Sequence, residues 1–220
     1  MGSPPRHDAD TGKRRHALRR ARRHLTPSEQ RSHATAVSRH VSRSGLLNLA
    51  GNIGAYLANH RDGELDTGPL LSRLWAMGKP VSCPVTERRS AGSVMHFYRL
   101  APGTAIDRAR FGLDEPRTFG TGAGTYTHPL SLSLLFTPLV GFDDAGQRIG
   151  MGAGYYDRYL GRITPSLRPL VIGLAHEAQR AKTLLAAAPW DVPLDGVVTE
   201  AGWQPFSPRA RRLSRGEKPG

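Results

Sequence analysis

Arg148, three glycines at alternate positions (Gly150, Gly152 and Gly154), Tyr155, Tyr156, Asp157 and Arg158 follow one another within eleven residues. The combination suits a polyphosphate. Glycines let backbone N–H groups approach an anion and adopt positive φ, a cationic side chain supplies charge, and a helix starting after them adds a favourable dipole. Asp157, in the first turn of that helix, could hold Mg²⁺ between phosphate oxygens. The two tyrosines could face a flat heterocycle. The same residues also suit a plain strand-to-helix turn, with Asp157 only complementing a helix N-terminus. Neither common nucleotide fingerprint is present: there is no G-x-x-x-x-G-K-[ST] loop, and the position completing G-x-G-x-x-G from Gly150 is Tyr155.

An almost continuously apolar run, residues 130–142, leads into this stretch and predicts a central strand covered on both faces, with a turn at 143–146. Upstream, residues 52–58 predict a buried first strand. Leu70, Leu71, Leu74 and Trp75 then mark a helix ended by Gly78, and residues 81–85 a second strand. Strand, helix, strand at this spacing implies parallel pairing. Residues 95–100, 170–175 and 196–199 predict further strands, and 178–188 a helix. Thr26, Pro27 and Glu29 read as a capping box opening a helix with Ala34, Val37 and Val41 as its apolar stripe. Before it, residues 13–25 predict a short basic helix with Arg15 and Arg19 one turn apart.

The fold class is therefore α/β, a three-layer, open, mostly parallel, Rossmann-like sheet with an N-terminal helical segment. One domain, 13–204, is expected between a disordered tail, 1–12, and a loose basic tail, 205–220. Such sheets bind ligands beyond their strand C-termini, so the loop carrying Glu64 and the glycine loop should border one crevice.

The net charge of +13 is concentrated at the ends: residues 1–43 hold eleven Lys/Arg against three acids, and residues 205–220 five against one. A nucleic-acid binder would spread its basic residues over a folded face among aromatics, so no nucleic-acid partner is expected. The basic ends could still attract phosphates. Cys83, the single cysteine, sits in an apolar run and reads as a core residue. No His/Cys spacing suggests zinc, and His176 reads as structural. No run approaches the roughly 18 apolar residues that cross a bilayer, and Arg14-Arg15 lacks the apolar segment of an export signal. A cytoplasmic protein without a membrane partner is expected.

Residues 148–158, preceded by 138–143 (Pro-Leu-Val-Gly-Phe-Asp), with 63–67 (Gly-Glu-Leu-Asp-Thr) upstream and 192–199 (Val-Pro-Leu-Asp-Gly-Val-Val-Thr) downstream, resemble the 5-formyltetrahydrofolate cyclo-ligases, also called 5,10-methenyltetrahydrofolate synthetases. The likeness runs from about Arg15 to Glu200. It implies an ATP- and Mg²⁺-dependent ring closure: the formyl oxygen of 5-formyltetrahydrofolate takes the γ-phosphoryl group, N10 attacks, and phosphate leaves.

Carried over by position, the resemblance makes Arg148, Ile149, Gly150, Met151, Gly152, Ala153, Gly154, Tyr155 and Tyr156 the ATP loop, with 151–155 also touching folate. Arg148, Tyr155 and Asp157 carry the catalysis, and Asp157 and Asp195 serve Mg²⁺. Glu64 accepts hydrogen bonds from the pterin, and Leu57 gives an apolar folate contact. Two N-terminal cations four residues apart touch the phosphates. The second is Arg15; the first position holds Thr11, which leaves Lys13 as the nearest cation. The implied ligands are ATP and the folate, with or without a polyglutamate tail, and the implied state is a monomer or weak homodimer. Arg148 and Asp157 are expected in a solvent-facing loop. The alternative is a folate- or nucleotide-binding protein of the same fold without turnover.

Overall fold

The structure, a computed structural model, describes residues 6–49, 51–90, 92–109 and 112–217. Helix α1 spans Arg6–Arg23. It begins well before residue 13: Asp10 and Arg14 pair at 2.9 Å one turn apart, and residues 6–12, expected within a disordered tail, form its first turns. Residues 1–5 of that tail lie outside the described residues. Helix α2 (Pro27–Arg43) opens on the predicted capping box, with Glu29 N donating to Thr26 Oγ1 at 3.2 Å and Thr26 N to Glu29 Oε2 at 2.7 Å. It ends at Ser44 and Gly45, where φ of 79° favours glycine.

The chain continues through β1 (Asn52–Gly54), α3 (Gly68–Ala76), β2 (Val81–Arg89), β3 (Gly92–Leu100), β4 (Ile106–Arg108), β5 (Asp114–Pro116) and β6 (Tyr126–Thr127). There follow β7 (Leu132–Pro138), β8 (Gly141–Phe142), β9 (Arg148–Ile149), α4 (Tyr155–Gly161), β10 (Leu170–Leu174), β11 (Gly196–Thr199), β12 (Gly202–Pro205) and α5 (Pro208–Ser214). Eight strands form one sheet in the order β12-β11-β10-β7-β1-β2-β3-β6. The five from β11 to β2 are parallel; β12 and β3 run antiparallel to them, and β6 pairs antiparallel with β3. This is the expected mostly parallel α/β sheet.

Both faces are covered. Leu134 and Phe136 of β7 enter one apolar cluster, with Val37 and Val41 of α2, Leu70, Leu71 and Leu74 of α3, and Leu213 of α5. Leu135, with side-chain direction alternating along the strand, enters the other, with Tyr159 and Leu160 of α4.

Three local expectations are corrected. The apolar run 130–142 is not one strand: it leaves the sheet after Pro138, and Gly141 and Phe142 pair with Ile149 and Arg148 in a hairpin. The turn of that hairpin is held by Asp143, whose Oδ1 accepts Ala145 N at 3.0 Å and Gln147 N at 2.8 Å. Residues 178–188 are not a helix; a 3-10 turn at Glu177–Gln179 is followed by chain tied to this hairpin, with Ala181 N donating to Phe142 O at 2.7 Å and Leu185 N to Asp143 Oδ2 at 2.7 Å. The segment expected as a loose tail from 205 forms α5, capped by Ser207 and anchored by buried Ala210 and Leu213; residues 218–220 lie outside the described residues.

Helix α1 lies on the C-terminal edge of the sheet, with Leu18 packed against Val140, Ile149 and Leu185. Arg22 fastens it there. Its side chain is 1% exposed, pairs with Asp62, and donates to Asp62 O and Leu139 O, both at 2.9 Å. Arg19 pairs with the same carboxylate at 2.7 Å from a position 40% exposed.

These two pairs should differ in weight. Breaking a buried pair costs about 3–5 kcal/mol, while an exposed one contributes about 0–1 kcal/mol. Urea unfolding should therefore show Arg22→Ala destabilised by about 3–5 kcal/mol and Arg19→Ala by less than about 1 kcal/mol. Equal losses would show that burial of Arg22 carries no special weight.

Candidate functional site

The glycine loop starts where β9 ends, and its backbone needs glycine at two points. Gly152 has φ of 99° and Gly154 of 63°, both in the region that side chains disfavour. A Cβ added at Gly150 would meet nothing within 4 Å, so the loop is open on that side. Arg15 lies over the loop: its Nε donates to Gly150 O at 2.9 Å, and its guanidinium carbon and Nη1 come to 3.7 Å from where a Gly152 Cβ would be. At the rim, the Arg158 guanidinium stands 5.3 Å from the Tyr155 ring centroid. Helix α4 is only seven residues long, so its dipole adds little and the charge suited to an anion comes mainly from arginines.

Arg148 and Asp157 occupy each other. Arg148 Nη2 is 2.6 Å from Asp157 Oδ1, and Arg148 Nη1 donates to Val192 O. Val192 N donates to the same Oδ1 at 3.1 Å. The Arg148 side chain is 7% exposed, which corrects the expectation of a solvent-facing position. The pair clamps β9, the start of α4 and the 192 segment together.

Glu64 approaches from the loop after β1. Its Oε2 accepts Asn59 N at 3.0 Å, and Oε1 lies 3.7 Å from Arg22 Nη2. Burial raises its carboxyl above the ordinary value, an effect Asn59 N–H and Arg22 only partly oppose. The Tyr156 hydroxyl is pushed up by burial and next by the charge of Glu64, so the two groups lie within electrostatic range of each other. Helix α1 reaches both loops, Arg15 through Gly150 O at 2.9 Å and Arg22 toward Glu64 at 3.7 Å. Buried Tyr56, whose hydroxyl donates to Leu65 O at 3.2 Å, lies within electrostatic range of Glu64 and was not singled out by sequence, where it fell inside the strand expected over 52–58; that strand ends at Gly54.

The remaining predicted residues fall in different places. Leu57 is half-buried against the core beside α3, Ile149 is buried, and Met151 and Ala153 are exposed on the loop. Lys13 is exposed, and at about 100° per residue it lies on the opposite side of α1 from Arg15. The cations sharing the face of Arg15 are Arg19 and Arg22, spaced four and three residues on. Asp195 starts β11 at the N-terminal edge of the parallel strands, where its Oδ2 accepts Val171 N at 2.8 Å. The glycine loop and Glu64 follow strand C-termini.

These features define an α/β protein of the open parallel-sheet type, with an anion-suited loop and a buried carboxylate both contacted by α1 above the strand ends. The chain belongs to the 5-formyltetrahydrofolate cyclo-ligase family, whose sequence model matches residues 7–200. It is 36% identical over 183 residues to the 5-formyltetrahydrofolate cyclo-ligase of Escherichia coli (strain K12), covering 83% of this chain and 96% of that protein. To the cyclo-ligase of Haemophilus influenzae it is 35% identical over 178 residues, covering 80% and 90%. Among solved structures it resembles the 5,10-methenyltetrahydrofolate synthetase of Aquifex aeolicus, with a TM-score of 0.71 at 26% identity over 89% of this chain and 92% of that one. No helix among the described residues is long and apolar enough to cross a membrane.

The burial of Glu64 has a measurable sign. A carboxyl raised on folding stabilises the protein fully below its ordinary value of 4.5 and loses that contribution as pH rises through the raised value. Glu64→Gln has no such loss. The difference in thermal midpoint, variant minus parent, should grow in the variant's favour between about pH 4.5 and pH 8. A difference that stays flat would mean that the Glu64 charge is not penalised by its surroundings.

Proposed function

We propose that this chain converts 5-formyltetrahydrofolate to 5,10-methenyltetrahydrofolate with consumption of ATP and release of ADP and phosphate. The observation that carries this reading is that one face of α1 holds Arg15 over the glycine loop and Arg22 toward buried Glu64, in a chain of this family.

The formyl group of the substrate is amide-like, a poor electrophile until its oxygen can leave. Transfer of the γ-phosphoryl group to that oxygen releases ADP and makes the carbon an iminium. N10 then attacks, loses its proton, and the C–O bond breaks with departure of phosphate. The protein's task is to hold two ligands in line and neutralise phosphate charge.

Residues 150–154 offer backbone N–H groups at a surface that glycine keeps open, and Arg15 supplies charge over them. Glu64 suits the amino and N–H donors of a pterin: it is held in place by Asn59 N–H, and such donors would offset the desolvation its charge suffers. Tyr155 and Tyr156 give the adjoining apolar wall. Arg148 acts through Asp157, fixing the carboxylate in place.

The residues fit Mg²⁺ in part. Asp157 takes both its hydrogen bonds on Oδ1, which leaves Oδ2 as a hard oxygen ligand of the kind Mg²⁺ uses beside phosphates. Asp195 is engaged with the β10 backbone, and its role rests on the family likeness alone. When bound, the ion would supply charge neutralisation between phosphate oxygens.

Absorbance-monitored conversion of 5-formyltetrahydrofolate, with and without ATP and Mg²⁺, tests the reading. Product should form only with both present. Ligand binding without product would instead fit a non-catalytic binder. Arg15→Ala removes a charged hydrogen-bonding group worth about 1.5–3 kcal/mol, so its KM for ATP should rise about tenfold to a hundredfold while the fold is kept. An unchanged KM would remove Arg15 from the nucleotide site.

A further inference from the structure

Outside the crevice, three side chains converge behind the Glu64 loop. His33 of α2, His176 just past β10 and Glu200 just past β11 each bring one ligand atom within 4.8 Å of the others. His33 Nδ1 is 3.0 Å from His176 Nδ1 and 3.4 Å from Glu200 Oε1. As a hydrogen-bonded trio they are poorly matched. If His33 Nδ1 carries the proton, it must serve both an imidazole and a carboxylate. If His176 carries it, the bare Nδ1 of His33 faces the carboxylate. In either case His176 Nε2 is buried without a hydrogen-bond partner.

We infer that His33, His176 and Glu200 form a binding site for a divalent transition metal of the zinc class. Two imidazole nitrogens and one carboxylate oxygen are an established donor set for such an ion, with a fourth position left for water. Bond lengths of about 2.0–2.2 Å at tetrahedral angles require ligand atoms about 3.3–3.5 Å apart, close to the two spacings His33 makes, 3.0 Å to His176 and 3.4 Å to Glu200. The ligands are also held from behind. Glu177 N donates to both Glu200 oxygens, at 3.2 and 3.0 Å, and His176 N donates to Gln179 Oε1 at 2.9 Å. Gln179 Nε2 in turn donates to Leu139 O at 2.6 Å. His33 and Glu200 are about one-fifth exposed, which gives an ion a way in.

Metal on Nδ1 would place the His176 proton on Nε2. The site would then tie α2, β10 and β11 together. The expectation that no zinc site exists rested on local spacing, and His33 and His176 are 143 positions apart.

Untagged, chelator-treated full chain should be titrated with Co²⁺ and Zn²⁺. One equivalent of Co²⁺ should give the visible absorption of a tetrahedral site, Zn²⁺ should displace it, and Zn²⁺ should raise the thermal midpoint. His33→Ala and Glu200→Ala, at partly exposed positions and with folding checked by circular dichroism, should lose all three responses; His128→Ala should keep them. Absence of tetrahedral Co²⁺ absorption in the parent overturns the site. So does a full equivalent retained by His33→Ala, because the ion then rests on other histidines.

Discussion

Taking the Arg22 guanidinium out of water costs several kcal/mol, and the fold offsets that cost with acceptors from two loops. Asp62 gives its carboxylate and carbonyl, Glu64 a carboxylate oxygen at 3.7 Å, and Leu139 a carbonyl where β7 leaves the sheet. The donor comes from a helix that precedes every strand. One side chain thus joins α1, the loop after β1 and the entry to the β8–β9 hairpin, the three segments that carry Arg15, Glu64 and the glycines. The compensation is uneven. Arg22 contacts Asp62 at hydrogen-bond range and Glu64 only at longer range, and Arg19 adds a second cation to Asp62. Glu64 is left as the under-compensated member, buried but still short of donors, and that shortage is what a ligand rich in N–H groups would meet.

The same helix explains why the basic N-terminus is not merely a tail. Arg15, Arg19 and Arg22 are four and three residues apart and point from one face of α1 into the strand-end loops. Arg14, one step round, donates to Thr183 Oγ1 and Leu184 O, both at 2.9 Å, and holds the neighbouring segment. Charge that composition alone assigns to an end of the chain is therefore folded back onto the sheet. It stands in for the dipole that a helix as short as α4 cannot provide.

What could be read from sequence divides along the range of the interactions. The capping box at Thr26, the stop at Gly45, the Leu70–Leu74 face and the parallel pairing of β1 and β2 are local or periodic signals, and they were legible. The glycine loop and Glu64 were legible as a site because their residue types declare a chemistry. The Arg148–Asp157 pair was half legible: both residues were picked out, but not that each is the other's counter-ion, since that depends on how β9 and α4 pack against residue 192. The 178–188 segment misled because its alanines and leucines favour a helix, while Asp143 and the Phe142 carbonyl offer its N–H groups better-placed partners. His33, His176 and Glu200 were illegible, being joined only by the order of strands in the sheet.

The Arg148–Asp157 pair also constrains how charged ligands can enter. Each charge is mostly withdrawn from water and has the other as its principal partner. An anion that drew Arg148 away by itself would leave Asp157 without compensation, and a cation that took Asp157 by itself would do the same to Arg148. An anion and a cation arriving together would replace one ion pair by two while leaving neither side chain stranded. Any ligand that opens this pair must therefore offer compensation to both charges, because separating them strands one in a poorly hydrated place.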